Sequence, residues 1–116
     1  MILPHIEHAV VPQEKITDYL LSDSHPQGRA KAEFFRGFGF TVAEWPVLAE
    51  ALLNHVREHG IIREEPSPFG VRYIAEGPLA GADGRRPNLR SVWFLDHNST
   101  SPRLVTAYPL EGAGDD

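Results

Sequence analysis

The apolar residues of this chain keep a helical period as far as residue 59 and an alternating one from residue 71 onward. This change of period constrains the fold more than any motif does. Helices recur every 3.6 residues and strands every two, so the two halves must bury their apolar faces differently. Helices first and strands afterwards predict an α+β domain: three N-terminal helices packed on a C-terminal antiparallel β-meander of three to four strands.

The third helix is the plainest. Trp45, Leu48, Ala49, Leu52, Leu53 and Val56 follow i, i+3, i+4, i+7, i+8, i+11 over roughly 44–59, with Pro46 in the first turn and Gly60 at the end. A first helix is expected near 13–22, after Pro12, with Ile16, Tyr19 and Leu20 on one face. A second is expected near 28–38, where Ala32, Phe35 and Phe38 recur and Gly39 is a natural stop. Strands are expected at Val71–Glu76, Leu89–Leu95 and Arg103–Tyr108, joined by loops short enough for hairpins. Ala9-Val10-Val11 suits a short leading strand or an extended lead-in.

A chain of 116 residues has the length of one domain, expected over 1–110, with 111–116 a disordered acidic tail. Cysteine is absent, which removes disulfides, thiolate metal sites and thiol nucleophiles together. No apolar run approaches the ~20 residues that span a bilayer, and the first residues lack the pattern of a signal peptide. A cytoplasmic location without membrane contact is therefore expected. The net charge is −5, which argues against loose binding to nucleic acid. Residues 60–110 nevertheless carry 6 bases against 5 acids, and all six are arginines. Arginine presents a planar fork that matches phosphate or carboxylate, although such residues also serve as solvated strand edges.

Few residues point to a reaction. His55 and His59 stand at i, i+4, a spacing that suits two metal ligands, but no HExxH surrounds them and a third ligand would have to come from His5 or His8. They read better as surface histidines near a helix C-terminus, so no metal and no other cofactor is expected. No GxSxG elbow and no P-loop is present. His25, Arg29 and Lys31 gather around the start of the second helix, where free N–H groups already favour anions. Arg29 and Lys31, two apart, point in different directions. On the strands, Thr106 and Tyr108 share a face, as do Arg90 and Val92. The pattern leaves open whether Thr106 and Tyr108 face the helices or form an outward polar platform with Arg90.

The run from Lys15 to Leu21, then His25-Pro26, Gly28-Arg29, Lys31-Ala32 and Phe34-Phe35, resembles an uncharacterised bacterial domain family of unknown function. Later stretches carry the same resemblance: Arg72-Tyr73, Glu76-Gly77-Pro78-Leu79, Arg90-Ser91-Val92-Trp93 and Arg103 through Pro109. It covers about residues 7 to 110. The layout of helices followed by a meander ending in Thr-Ala-Tyr-Pro also resembles, more remotely, the barnase/EndoU/colicin/RelE-like toxin ribonucleases. That resemblance implies a metal-independent endoribonuclease with RNA as substrate and a cognate antitoxin or immunity protein as partner. The matching positions are His25 or Lys31, with Arg90, Thr106 and Tyr108. On this reading His25 is the acid/base, Lys31 and Arg90 stabilise the phosphate, Thr106 and Tyr108 orient it, and Arg29 and Arg72 are further phosphate-binding candidates. The alternative is a non-catalytic protein-binding module of the immunity or antitoxin kind, which the acidic balance would suit.

Overall fold

The computed structural model describes residues 1–22, 24 and 29–110. After a 3-10 turn at Ile6–His8, α1 (Gln13–Lys15) widens directly into a π-helical segment, Ile16–Leu20. There the Leu21 N–H donates to the Ile16 carbonyl at 2.8 Å, five residues back. Ile16 and Leu20 are fully buried and Tyr19 half-buried, which is the face the sequence predicts.

Helix α2 (Arg29–Gly37) buries Ala32 and Phe35. It closes with two reciprocal bonds, Gly39 N–H to Arg36 O at 3.0 Å and Phe40 N–H to Phe35 O at 3.2 Å. Gly39 takes φ 96°, and the Phe35 and Phe40 rings meet edge to face at 6.2 Å across the turn. These are the bonds and the apolar contact of a Schellman stop, and they require a residue without a Cβ at position 39. Helix α3 (Trp45–His59) buries Leu48, Ala51, Leu52, His55 and Val56.

The sheet has four antiparallel strands in the order of the chain: β1 (Arg63–Pro66), β2 (Gly70–Pro78), β3 (Asn88–Asp96) and β4 (Arg103–Pro109). Strand β1 is the one the apolar pattern misses. Its sequence, Arg63-Glu64-Glu65-Pro66, is charged and ends in proline, the composition of a protected edge. On the far side Val10 bridges in parallel to Arg103, so the lead-in does form one strand-like residue.

Register sorts the two faces. Ala75, Ser91 and Ala107 stand opposite one another, and Ser91 bonds to α3, so this row faces the helices. The adjacent rows, Glu76–Arg90–Tyr108 and Ile74–Val92–Thr106, face the other way. The core lies between α3 and the first face, where Leu48, Leu52 and Val56 join Phe35, Phe40, Leu89, Trp93 and Leu104. Leu52 is 0% exposed, so Leu52→Ala is expected to lower unfolding stability by about 3 kcal/mol in a denaturant titration. An unchanged midpoint would contradict the packing of α3 on the sheet. No helix among the described residues is long and apolar enough to cross a membrane.

Candidate functional site

The outward row of the sheet carries a connected polar group. Arg90 is placed opposite Glu76 on β2 and Tyr108 on β4 by the two registers. Its Nε donates to Glu76 Oε2 at 2.7 Å, its Nη2 donates to the same oxygen, and its Nη1 donates to the Tyr108 hydroxyl at 3.3 Å. The bond to Tyr108, and then that to Glu76, raise the guanidinium's pKa above its ordinary value, so Arg90 is permanently charged. Both ends of the ion pair are partly accessible, Arg90 at 29% and Glu76 at 25%. The remaining N–H donors of Arg90 are uncommitted among the described residues.

From the helical side, α2 brings Lys31 to this row. Its Nζ lies 5.9 Å from the centre of the Tyr108 ring and 5.5 Å from that of Tyr19. The Arg90 guanidinium lies 5.8 Å from the Tyr108 ring. The Tyr19 hydroxyl, from the π-helical segment, shares a hydrogen bond of 3.1 Å with the Thr106 hydroxyl. Thr106 and Tyr108 thus form the outward platform with Arg90, and Lys31 and Arg90 meet on one tyrosine ring. Ring contacts of this kind contribute about 0.5–1 kcal/mol each at accessible sites.

The other sequence candidates are placed less closely. His25 lies outside the described residues, as do the acidic residues of 111–116. Arg29 opens α2 and is exposed, rotated away from the half-buried Lys31 as its two-residue offset requires. Arg72 shares the outward face but pairs with Glu65 on β1 at 3.6 Å. Indeed each of the six arginines of the second half is matched to a carboxylate. Arg63 meets Glu65 at 3.1 Å, Arg85 meets Asp83 at 2.6 Å, Arg86 meets Glu58 at 3.6 Å and Arg103 meets Asp96 at 2.6 Å.

The His55/His59 pair corrects the expectation of surface histidines. His55 is 1% exposed in the centre of the α3 stripe. Its Nε2 faces two carbonyls, Gly77 O and Leu89 O, both at 3.0 Å, so this nitrogen carries the proton. Nδ1 therefore accepts from the Ser91 hydroxyl at 2.9 Å, and Ser91 Oγ in turn accepts from Trp93 Nε1 at 2.9 Å. His59 donates from Nε2 to Pro78 O at 2.7 Å. A Cβ on Gly77 would fall 2.5 Å from the His59 ring, so a glycine is needed where the helix crosses β2. Both His55 nitrogens are engaged by protein, and among the described residues no three potential ligands are grouped to hold a metal ion. Ser91, at 0% exposure, has a histidine partner but no access to a substrate.

The family model for DUF6883, a domain of unknown function, matches residues 2–111. The chain belongs to this family. Among curated proteins nothing matches. Among solved structures, the DUF6883 chain is similar to one described as a contact-dependent growth inhibition toxin–immunity protein complex from Klebsiella pneumoniae 342, with 24% identity, a TM-score of 0.70, and 93% of this chain and 98% of that chain covered. The likeness is one of fold.

Within the DUF6883 chain, then, two polar centres occupy opposite faces of one sheet. The buried one is closed to solvent and holds α3 to β2 and β3. The outward one presents a lysine, the Arg90–Glu76 ion pair and three hydroxyls on a partly open surface. Two of its members, Tyr19 and Glu76, escape a reading of the sequence. Tyr19 looks like one more apolar contact of α1. Glu76 had a usable signal, since it and Arg90 are equidistant from Asp83 in the turn, and a hairpin centred there sets them opposite one another.

Proposed function

We propose that this domain is the nuclease member of a toxin–immunity type pair, a metal-independent endoribonuclease acting at the outward face of β3 and β4. The observation that carries the reading is the convergence of Lys31 and Arg90 on the Tyr108 ring beside Thr106. The fold likeness to a chain of a toxin–immunity protein complex supports a place in such a pair.

In the proposed reaction a base removes the proton of a ribose 2′-hydroxyl, and the freed oxygen attacks the adjacent phosphorus. The P–O5′ bond breaks, and an acid protonates the leaving 5′ oxygen. The products are a 2′,3′-cyclic phosphate and a 5′-hydroxyl. Lys31 and the uncommitted N–H groups of Arg90 stabilise the extra charge on the phosphorane. Glu76 keeps the guanidinium turned toward Tyr108, and the hydroxyls of Thr106 and Tyr108 orient the phosphate. His25 is the proposed acid/base, in the segment that precedes α2.

The test is expression of the chain in bacteria with and without the adjacent gene, followed by incubation of the purified protein with RNA in excess EDTA. Growth arrest relieved by the neighbour, and undiminished cleavage to cyclic-phosphate ends in the chelator, are expected. Activity lost in EDTA and restored by a divalent ion would overturn the mechanism. A chain that cuts no RNA but neutralises a toxin would belong to the immunity side, which its acidic balance also suits.

A further inference from the structure

Beside the proposed cleavage site runs a row of alternating charges and rings that extends past the residues assigned to chemistry. Lys15 Nζ, on α1, lies 5.5 Å from the centre of the Tyr19 ring. Lys31 Nζ lies 5.5 Å from the same ring and 5.9 Å from the Tyr108 ring, and Arg90 stands 5.8 Å from the latter. The order is therefore ammonium, ring, ammonium, ring, guanidinium. Lys15 and Arg90 contact different rings, and Lys31 is the member common to both. Lys15, Tyr19, Lys31, Tyr108 and Arg90 are all partly accessible. Among the described residues Lys15 makes no ion pair.

We propose that this row is a track for single-stranded RNA, and that Lys15 holds a phosphate outside the scissile linkage. The proposal rests on the ribonuclease reading and extends it to a substrate class: an unpaired stretch with at least two consecutive phosphodiesters. Unpaired strands are bound by cations that follow the backbone and aromatic faces that receive the bases. In the proposed complex the flexible lysines swing off the rings to the phosphates and leave the tyrosine faces to the bases. A duplex turns its base faces inward and leaves tyrosines in such a row without a role. A lone nucleotide occupies one cation and gains nothing from Lys15. Local order also favours the row, because the Tyr19–Thr106 hydrogen bond fixes one ring, and with it the π-helical segment, to β4.

The test uses the full chain and fluorescently labelled 2′-O-methyl RNA, which lacks the attacking hydroxyl and is bound without being cut. Anisotropy is measured for oligomers of two, four and eight nucleotides and for an eight-base-pair duplex. Affinity is expected to rise from two to four nucleotides and to be weaker for the duplex. Lys15→Ala is expected to weaken the four-nucleotide oligomer by roughly three- to tenfold, leave the dinucleotide unchanged, and reduce the log–log salt slope by about 0.7, as one lost single-strand contact requires. Lys15→Arg should restore binding. Equal affinity of Lys15→Ala and wild type for the longer oligomers, tighter binding of the duplex, or no binding of any oligomer overturns the track. The cleavage reaction is scored separately on unmodified RNA. Oligomer binding that depends on Lys15 without any cleavage sinks the ribonuclease reading and leaves the track standing. Cleavage indifferent to Lys15 does the reverse.

Discussion

Lys31→Ala and Arg90→Ala are each expected to lower RNA cleavage by roughly 10²–10³-fold, the usual effect of removing one preorganised group that stabilises developing charge. The two differ in what else they disturb. Lys31 lies beside two partly accessible rings, and the loss of these two ring contacts by itself should move the thermal midpoint by only a few degrees. Arg90 is the partner of Glu76, and its removal leaves a carboxylate of 25% exposure without a counter-charge. The double variant Arg90→Ala with Glu76→Gln removes that penalty and should recover the midpoint while remaining inactive. Arg90→Lys keeps a charge but loses the fork that binds Glu76 and Tyr108 together, so it should recover little activity. Initial rates on a labelled oligonucleotide, read beside melting curves, separate these cases. Wild-type rates in both Lys31→Ala and Arg90→Ala would remove the site from consideration.

The second large effect belongs to the buried centre. His55→Leu has about the right bulk but strands the Ser91 hydroxyl and takes a donor from the Gly77 and Leu89 carbonyls. Each buried group left unsatisfied costs about 1–3 kcal/mol, so a loss of roughly 3–5 kcal/mol in a denaturant titration is expected. The same residue gives the fold an acid-sensitive joint. Burial, assisted by His59 nearby, lowers the His55 pKa. The bonds to Gly77 and Leu89 and the charge of Glu58 oppose this only in part. The unfolded chain then binds a proton that the folded chain refuses. The stabilising effect of neutral His55 is complete above the unfolded value of about 6.5 and is lost as pH falls below it toward the lowered folded value. Stability measured from pH 8 to pH 5 should drop in the wild type, and His55→Gln should flatten that part of the curve. An equally steep profile in the variant would assign the acid sensitivity to other groups.

The fold was legible wherever burial imposes a period. The α3 stripe, the Ile16–Tyr19–Leu20 face and the three apolar strands are all visible as spacing, because a helix or strand with one wet face must repeat its apolar residues at its own pitch. Strand β1 was not legible, since an exposed edge has no face to bury and Arg63-Glu64-Glu65-Pro66 therefore carries no alternation. His55 was misplaced for a related reason. A histidine within an apolar stripe looks like a surface interruption unless its partners are known, and Ser91, Gly77 and Leu89 lie 22 to 36 residues away on strands whose register the sequence does not state. The outward face was half legible. Alternation puts Thr106 with Tyr108, yet which side of the sheet they take depends on which side α3 covers. The contact of Lys31 with Tyr108 depends on how α2 lies beside β4, and no local pattern encodes that.

The pairing of every second-half arginine with a carboxylate bears on how this protein meets a charged molecule. Pairs of this kind are nearly neutral at a distance, and the chain as a whole is negative. Ions in solution mask what field remains within about 10 Å at 0.1 M salt. A polyanion approaching by diffusion is therefore not drawn in from afar, and productive collisions should occur at the unassisted rate of about 10⁵–10⁶ M⁻¹s⁻¹ rather than at the steered limit. Discrimination is left to the last few ångströms, where shape and contact decide, and residence time becomes the quantity that separates a proper ligand from the many other anions of a cell.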